Sequence, residues 1–234
     1  MNQTVHSRPR KAASAPAGRA AAKAVKDVPG RTNDPERTMA NILEVALAEF
    51  AEKGLAGARI DEIAAATQTS KRMIYYYFGS KEGLYLAVLE ASYRAMRETE
   101  ADLHLDDLEP EAALRRLVEF TFDHHMDTEP YIRVVMAENM QRGQFMAQSQ
   151  SIQQLNVPAI AAIEALYARG VASGRFRPGV DAVDLHASIS ALTFFNVANR
   201  HTFGMIFKRD YTAPDVVAAR RESIVQTILR FVRA

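Results

Sequence analysis

The sequence predicts an all-α fold, and three observations support this prediction. Alanine, the strongest helix former, is abundant, whereas runs of β-branched and aromatic residues are short. Neither a convincing strand pattern nor an internal repeat is found along the chain. Apolar residues recur at helical spacing, and the clearest such stripe consists of Met39, Ile42, Leu43, Ala46, Leu47 and Phe50.

The composition argues against several classes of protein. The 234 residues include no cysteine, which excludes a disulfide scaffold and a thiolate metal site and is compatible with the cytoplasm. No apolar run approaches the ~20 residues of a membrane span, and the N-terminus lacks the apolar core of a secretory signal. Common hydrolase, zinc-protease and nucleotide-binding motifs are missing, so we expect no enzymatic activity, catalytic residue or cofactor. Adjacent His124 and His125 point ~100° apart on a helix, so we expect no metal site there.

The charge is unevenly distributed, although the net charge is only +1. Residues 1–31 carry seven basic residues and one acidic residue, a balance of +6, which leaves −5 for the remainder. Because this segment is rich in Ala, Pro and Gly without helical periodicity, we predict that residues 1–33 form a disordered basic tail. Such a tail is either a solvated leader or an arm that adds non-specific attraction to DNA.

Three helices are predicted in residues 34–84. The first begins at Asp34-Pro35-Glu36, which supplies a capping side chain, a proline and an acid in the first turn, and it ends at Gly54. A short helix from Ile60 to Thr67 and a turn up to Thr69 follow, and Ser70 caps the next helix. Two short helices joined by such a turn are typical of a helix-turn-helix.

The helix after Ser70 begins with an unusual set of charges. No acidic residue occurs from Ile63 to Lys81, and Lys71 and Arg72 occupy the first turn, where Asp or Glu normally complement the helix dipole. A phosphate group would supply the missing anion. The four aromatic residues that follow cannot all face one core, because successive positions lie ~100° apart. We therefore expect at least one tyrosine, most readily Tyr76, to point outward.

Residues 37–84 resemble the DNA-binding domain of the TetR/AcrR family of bacterial regulators, in the order and spacing of Phe50-x-x-x-Gly54, Ile63-Ala64, Ser70, Tyr75, Phe78, Lys81 and Leu84. The resemblance implies that the helix from Ser70 to Phe78 reads an operator and that Lys81 binds a phosphate. Three positions depart from the family, which has a capping Thr or Ser, a turn Gly and a His where this chain has Ala58-Arg59, Gln68 and Tyr77. Gln68 at positive φ would cost about 1 kcal/mol, and Arg59 could make a charged phosphate contact.

The residues expected to contact DNA lie in and around this helix. Lys71 and Arg72 either reach base edges or bind phosphates only. The three consecutive tyrosines either bind phosphate or pack in the core, and Met73 either packs or touches a thymine methyl group. The predicted set is Arg59, Thr69, Ser70, Lys71, Arg72, Met73, Tyr75, Tyr76, Tyr77 and Lys81.

Residues 85–234 are predicted to form a helical effector-binding and dimerisation domain. Helices are expected over Leu84–Glu100, Pro110–Thr128, Tyr131–Gln141, 144–173, Asp184–Phe203 and from Pro214 through Phe231. The resemblance implies that the last two long helices pair with those of a second copy in a four-helix interface. Candidate interface residues are Leu185, Ile189, Leu192, Ile224 and Ile228.

Polar residues interrupt the apolar helices of this region. Burying a polar group without a partner costs ~1–3 kcal/mol, so such positions are candidates for a ligand site. They indicate either a site for a small, partly polar or aromatic effector or ordinary buried hydrogen bonds at a dimer interface. The candidate ligand-binding residues are Phe122, His125, Met136, Asn139, Met140, Asn196 and Arg200.

The predicted function is that of a ligand-responsive, DNA-binding transcriptional regulator. The resemblance implies a cytoplasmic homodimer that binds a pseudo-palindromic operator in double-stranded DNA as a repressor and is released by a small-molecule effector. An activator of the same fold is the nearest alternative. A small all-helical enzyme that shares only the helix pattern is a more distant one, and no membrane partner is expected.

Overall fold

The computed structural model describes residues 34–234, and the predicted properties of residues 1–33 lie outside this range. Within it the chain folds as ten α-helices, which confirms the all-α prediction: α1 (Pro35–Gly57), α2 (Ile60–Ala66), α3 (Lys71–Phe78), α4 (Lys81–Ala101), α5 (Pro110–Asp127), α6 (Glu129–Met140), α7 (Gln150–Ala172), α8 (Ala182–Ala198), α9 (Arg200–Phe207) and α10 (Pro214–Val232). Short 3-10 turns at Leu105–Asp107 and Met146–Gln148 precede α5 and α7. None of the helices in residues 34–234 is long and apolar enough to cross a membrane.

The first helix begins and breaks where the sequence indicates. The side chain of Asp34 accepts a hydrogen bond from the backbone N–H of Arg37 at 3.1 Å and caps α1. Gly54 adopts φ 66° and ψ 172°, which interrupts the helical path at the predicted end. One further turn nevertheless carries α1 to Gly57, because the chain resumes helical geometry after the kink.

The helix-turn-helix occupies α2 and α3. The turn between them closes when the backbone N–H of Thr69 donates to the carbonyl of Ala64 at 3.0 Å. Gln68 has φ 52°, so the turn adopts the left-handed backbone that glycine would favour, as the sequence predicted. This sharp turn sets α3 across α2 and leaves the N-terminus of α3 at the surface.

A shared apolar core joins the helix-turn-helix to the rest of the protein. Phe50, Ile63 and Ile74 are buried between the first three helices. Tyr85 of α4 packs edge-to-face on Phe50, with ring centroids 5.2 Å apart, and on Phe145, at 5.3 Å. Because Phe145 lies just before α7, the predicted domain boundary at residues 84 and 85 crosses one continuous cluster, and the boundaries themselves stay a prediction.

A second core lies between α5, α7, α8 and α10. Leu114 and Leu185 are fully buried there. The helix expected over Asp184–Phe203 is in fact two helices, because Asn199 with φ −111° and ψ 0° separates α8 from α9. The helix expected over 144–173 starts at Gln150, after a 3-10 turn, and Ser149 caps it by accepting from the N–H of Ile152 at 3.1 Å.

The left-handed backbone at Gln68 predicts that a glycine at this position stabilises the protein. Gln68→Gly should raise the free energy of unfolding by about 0.5–1 kcal/mol, because the strain of left-handed backbone, roughly 1–2 kcal/mol, exceeds the added freedom of the unfolded chain, roughly 0.4–1 kcal/mol. Denaturant unfolding measures the change. Ala66→Gly, two residues earlier in ordinary helical backbone, is the control and should lower stability by about 1 kcal/mol. A loss of stability in both variants would contradict the assigned strain.

Candidate functional site

The exposed face of α3 lies opposite its buried anchor. Ile74 is fully buried. Arg72 and Tyr76 stand two residues before and after it, so each lies about 160° away around the helix. Both are exposed, and Tyr76 is 77% exposed, in agreement with the expectation that it points outward. Tyr75 flanks them and is 46% exposed. The outer face of α3 thus carries a guanidinium group and two phenols.

The N-terminal turn of α3 is capped and electropositive. Ser70 Oγ accepts a hydrogen bond from the backbone N–H of Met73 at 3.2 Å, and the first turn contains no acidic residue. Lys71 forms an ion pair with Asp61 of α2, and Arg59 Nη2 lies 3.9 Å from the same carboxylate. Arg72 forms no ion pair within residues 34–234. Its charge is therefore available to an external anion.

Lys81 joins the start of α4 to the end of α1. Its Nζ lies 3.4 Å from the carbonyl oxygen of Ala56 and 3.3 Å from that of Ala58. An ammonium group has three N–H donors, so one donor remains for a phosphate. Ser80 caps α4 by accepting from the N–H of Gly83 at 2.9 Å. A second helix N-terminus with a cation thus lies close to α3 in the chain.

Four of the predicted DNA contacts are less accessible than expected. Thr69, Met73, Tyr77 and Lys81 are each half-buried. The ring of Tyr77 packs 5.4 Å from that of Tyr76 and 6.2 Å from that of Phe78, against the core beneath α3. Because its neighbours cover one side of the ring, Tyr77 has less surface available for DNA than Tyr76. Its main contribution is to pack against Tyr76.

A cavity of about 330 Å³ lies between α4, α5, α6, α7 and α8. Its volume is at the small end of the range for ligand pockets, and its wall combines aromatic rings with a few polar groups, as such pockets do. Most of the lining residues come from α4, α6 and α8. The wall consists of Tyr93, Met96, Arg97, His125, Tyr131, Val135, Met146, Asn156, His186, Ser190 and Phe194.

Arg97 is the most unusual polar group in this wall. Its side chain is only 9% exposed, and Nη1 forms an ion pair with Glu100 one turn further along α4. Its Nε atom is buried and has no hydrogen-bond partner among residues 34–234. Arg97 also lines a larger neighbouring cavity of about 840 Å³ beside the end of α4 and α7. The guanidinium group therefore stands between two cavities.

The two histidines of the wall are neutral at neutral pH. Burial, with smaller contributions from nearby His124, Arg97 and His186, lowers the pKa of His125 to about 3. Burial, with a smaller contribution from Arg97, also lowers the pKa of His186. Neutral imidazoles offer one donor and one acceptor each, so they can orient a ligand without adding charge.

Only His125 among the predicted effector residues lines the cavity. Phe122 is buried in the core of α5, α7, α8 and α10, and Met140 is 85% exposed at the end of α6. Met136 packs against the cluster around Tyr131 without lining the cavity. None of these three side chains lines this cavity, and their contact with an effector stays a prediction.

The remaining polar candidates are occupied by structural hydrogen bonds. Asn139 donates to the carbonyl oxygen of Val135 at 2.9 Å. Asn196 donates to the carbonyl oxygen of Leu192 at 2.6 Å and accepts from Arg220 Nε at 3.1 Å. Arg200 forms an ion pair with Glu129 that ties α9 to α6. These contacts agree with the alternative of ordinary buried hydrogen bonding, and an effector contact by these side chains stays a prediction.

Sequence reasoning missed the contribution of α4 to the cavity. Tyr85, Leu89, Tyr93 and Arg97 follow one another at four-residue spacing, so they lie along one stripe of the helix. The first two are fully buried. An arginine that continues a buried apolar stripe, with an acid three residues later, was the signal that could have identified Arg97.

The predicted dimer residues also need correction. Leu185, Ile189, Ile224 and Ile228 are at most 2% exposed, because they form the core of the protomer itself. Leu192 is half-buried and packs against the same core. These side chains hold α8 and α10 to the core of the protomer.

A capped, cationic recognition helix on a helix-turn-helix, attached to a helical domain with an internal cavity, defines a DNA-binding regulator with a ligand site. Comparisons with known proteins agree. Residues 42–88 match the model for bacterial regulatory proteins of the tetR family. Residues 110–228 match that for the tetracyclin repressor-like C-terminal domain. The chain belongs to the TetR family.

The similar proteins match different shares of the chain. The HTH-type transcriptional repressor NicS of Pseudomonas putida is 35% identical over 180 residues, which are 77% of this chain and 85% of that protein. The HTH-type transcriptional repressor SCO4008 of Streptomyces coelicolor is 39% identical over 110 residues, 47% of this chain and 54% of that protein. The crystal structure of the transcriptional regulator SCO4942 of the same species superposes with a TM-score of 0.62 at 28% identity, over 83% of this chain and 98% of that one. The protein is a ligand-responsive DNA-binding repressor.

The ion pair between Lys71 and Asp61 predicts a gain in DNA affinity. Asp61→Asn should strengthen binding to a random-sequence duplex roughly 1.5- to 5-fold at low salt, because the carboxylate competes with phosphate for Lys71 and Arg59 and exposed pairs contribute about 0.2–1 kcal/mol. Fluorescence anisotropy on a labelled 30-base-pair duplex measures the change. Glu44→Gln removes the same charge from the exposed side of α1 and should have little effect. Equal gains in the two variants would assign the effect to net charge alone.

Proposed function

We propose that the protein acts as a homodimer on a pseudo-palindromic operator and that a small molecule in the cavity between α4 and α8 releases it. One observation carries the DNA-binding part: α3 presents the unpaired Arg72 beside Tyr76, on a helix whose first turn has no acid. Two such helices related by a two-fold axis would enter successive major grooves about 34–36 Å apart, or modestly more.

The proposed contacts divide into two groups. Arg72 and Tyr76 occupy the outermost face of α3, and Arg72 can bind a guanine edge through two hydrogen bonds. Phosphate contacts come from the helix N-termini and the surrounding polar groups, because backbone N–H groups and cations both favour anions there. This second group consists of Arg59, Thr69, Ser70, Lys71, Tyr75 and Lys81.

The dimer is proposed to form through the outer stripes of α8 and α10. On α8, Val183, Ala187, Ala191 and Phe195 are exposed at four-residue spacing. The corresponding exposed stripe of α10 consists of Ala219, Ser223, Thr227 and Phe231. Small residues in the middle of both stripes allow close helix approach, and aromatic residues at the ends supply apolar area. The two helices pack side by side in the protomer, so their stripes can form one surface.

Buried contacts connect the cavity to the helix-turn-helix. Met146 lines the cavity, and its backbone N–H donates to Glu138 Oε1 at 2.9 Å. The N–H of Phe145 donates to the same oxygen at 2.8 Å. Phe145 in turn packs on Tyr85, which packs on Phe50 of α1. A ligand that displaces Met146 would therefore act on the packing that orients the DNA-binding helices.

Two further features of the proposal follow from binding DNA. A regulator of chromosomal genes acts in the cytoplasm of a bacterium, and this places the protein there. The proposal also excludes catalysis as the function. An activator would use the same contacts with the opposite effect on transcription. An enzyme that shares only the helix pattern would lack the steep salt dependence that phosphate contacts produce and would turn over a substrate.

Arg72 provides the direct test of base reading. Arg72→Ala should weaken binding to duplexes enriched from a random-sequence library by about 1–3 kcal/mol, roughly 5- to 150-fold, and should weaken binding to random DNA much less. Retardation assays across a salt series measure both. Arg94→Ala, an exposed position on α4, is the matched control and should leave the two affinities unchanged. Equal losses on enriched and random duplexes would reject base reading, and salt-independent binding of the unaltered protein would reject the DNA-binding proposal.

Ala191 tests the proposed dimer surface. Ala191→Glu puts two carboxylates near the two-fold axis, so the variant should be monomeric at micromolar concentration and should lose operator affinity at least roughly 10-fold. Analytical ultracentrifugation gives the oligomeric state, and retardation gives the affinity. Ala95→Glu, exposed on α4, should remain dimeric. If the Ala191→Glu variant remains dimeric and binds DNA, the dimer interface does not include Ala191.

A further inference from the structure

The cavity between α4 and α8 has an unbalanced lining. Among the described residues of its wall, Arg97 alone carries a formal charge, since burial lowers the pKa of His125 and His186 and keeps both rings neutral. Glu100, the ion-pair partner of Arg97, lines the larger neighbouring cavity and not this one. The smaller cavity therefore has a cation in its wall, whose paired carboxylate lines the neighbouring cavity.

Arg97 also retains unused binding capacity. Its Nη1 atom is engaged by Glu100, whereas the buried Nε–H makes no hydrogen bond within residues 34–234. A buried donor without a partner is unfavourable, so a ligand acceptor that reaches it gains more than an ordinary surface contact. A carboxylate matches this requirement, because its two oxygens can accept from Nε and a neighbouring guanidinium nitrogen together.

The rest of the wall selects a small, flat ligand body. The rings of Tyr93 and Tyr131 meet edge-to-face with centroids 5.6 Å apart, and those of His125 and Phe194 do so at 5.9 Å. Aromatic walls of this kind favour a planar ring, which can stack on one ring and meet the edge of another. A volume of about 330 Å³ accommodates a substituted six-membered ring.

The tautomer of His125 adds a second selective group. The hydroxyl of Thr193 lies 2.9 Å from the carbonyl oxygen of Ile189 and 3.0 Å from Nδ1 of His125. Both contacts are satisfied together only when the hydroxyl donates to the carbonyl and accepts the Nδ1–H. The neutral ring then has a lone pair on Nε2, which makes no hydrogen bond to a described residue. A ligand that donates a hydrogen bond would match it.

We infer that the effector is a compact aromatic monocarboxylate with a hydrogen-bond-donating ring substituent, bound by Arg97 through the carboxylate and by His125 through the donor. This inference rests on the proposed function, which places the effector in this cavity. The Arg97–Glu100 pair lies at the partition between the two cavities, so a carboxylate that binds Arg97 also competes with Glu100 for it.

Matched ligands test the charge requirement. Calorimetry with the full chain should give 4-hydroxybenzoate an affinity at least roughly 10-fold higher than its neutral isostere 4-hydroxybenzamide, because a hydrogen-bonded charge pair is lost in the amide. Benzoate, which lacks the donor, should bind several-fold more weakly than 4-hydroxybenzoate. Equal affinities for the acid and the amide would overturn the inference about Arg97, and equal affinities for the two acids would overturn that about His125.

A double variant tests whether Arg97 causes the preference for the acid over the amide, without leaving Glu100 unpaired. Arg97→Gln combined with Glu100→Gln removes both charges of the pair, so the fold is not burdened by a buried lone carboxylate. This double variant should bind 4-hydroxybenzoate and 4-hydroxybenzamide equally, whereas Arg94→Gln on the exposed side of α4 should keep the preference for the acid. Persistence of that preference in the double variant would overturn the inference.

DNA retardation in the same samples separates the two proposals. A protein that binds DNA with the expected salt dependence but none of the three ligands would overturn the inference and leave the proposed function intact. A protein that binds 4-hydroxybenzoate through Arg97 but no DNA would overturn the proposed function and leave the ligand site intact. Release of DNA by 4-hydroxybenzoate and not by 4-hydroxybenzamide is the expected result.

Discussion

The edge-to-face packing of Tyr85 between Phe50 and Phe145 is the contact on which the rest of the structure depends. Tyr85 is fully buried, and it belongs to α4, which is continuous from Lys81 to Ala101, about 30 Å at 1.5 Å per residue. One end of this helix contacts α1 and adjoins α3, and the other end supplies Arg97 to the cavity. Because packed cores resist small deformations, movement at one end of α4 must be accommodated at the other.

The cations near α3 are exposed to solvent, whereas Arg97 at the other end of α4 is buried, and this difference in burial decides what each can bind. At the surface, Lys71 is shared with Asp61 and Arg72 is unpaired, so water and salt screen both and a phosphate can replace the screening ions. In the interior, the positive charge of Arg97 is paired with the carboxylate of Glu100. The exposed cations can therefore give affinity for any nucleic acid, whereas the buried cation can discriminate between ligands, since desolvation makes a mismatched group costly.

The sequence was most informative where a local rule fixes the structure. Ser70 and the strained Gln68 are predictable because capping and left-handed backbone depend on neighbours in the chain. Helix phase around Ile74 likewise separates the inward and outward faces of α3. The cavity was not predictable in the same way, because five helices that are distant in sequence form its wall. A polar residue in an apolar helix, such as Asn196, satisfies a neighbour as readily as it binds a ligand, and a single sequence does not show which.

The position of Glu138 explains how a small cavity can control a distant surface. Its Oε1 atom accepts from two successive backbone N–H groups that begin the segment before α7, and its Oε2 atom has no partner within residues 34–234. The carboxylate therefore holds the cavity wall at Met146 and the aromatic contact at Phe145 through one atom. A ligand needs a preference of only about 1–3 kcal/mol for one arrangement of this segment to change DNA affinity roughly 5- to 150-fold. Because both hydrogen bonds are short in sequence and at least partly buried, we propose that a ligand repacks side chains around α4 and does not unfold this segment.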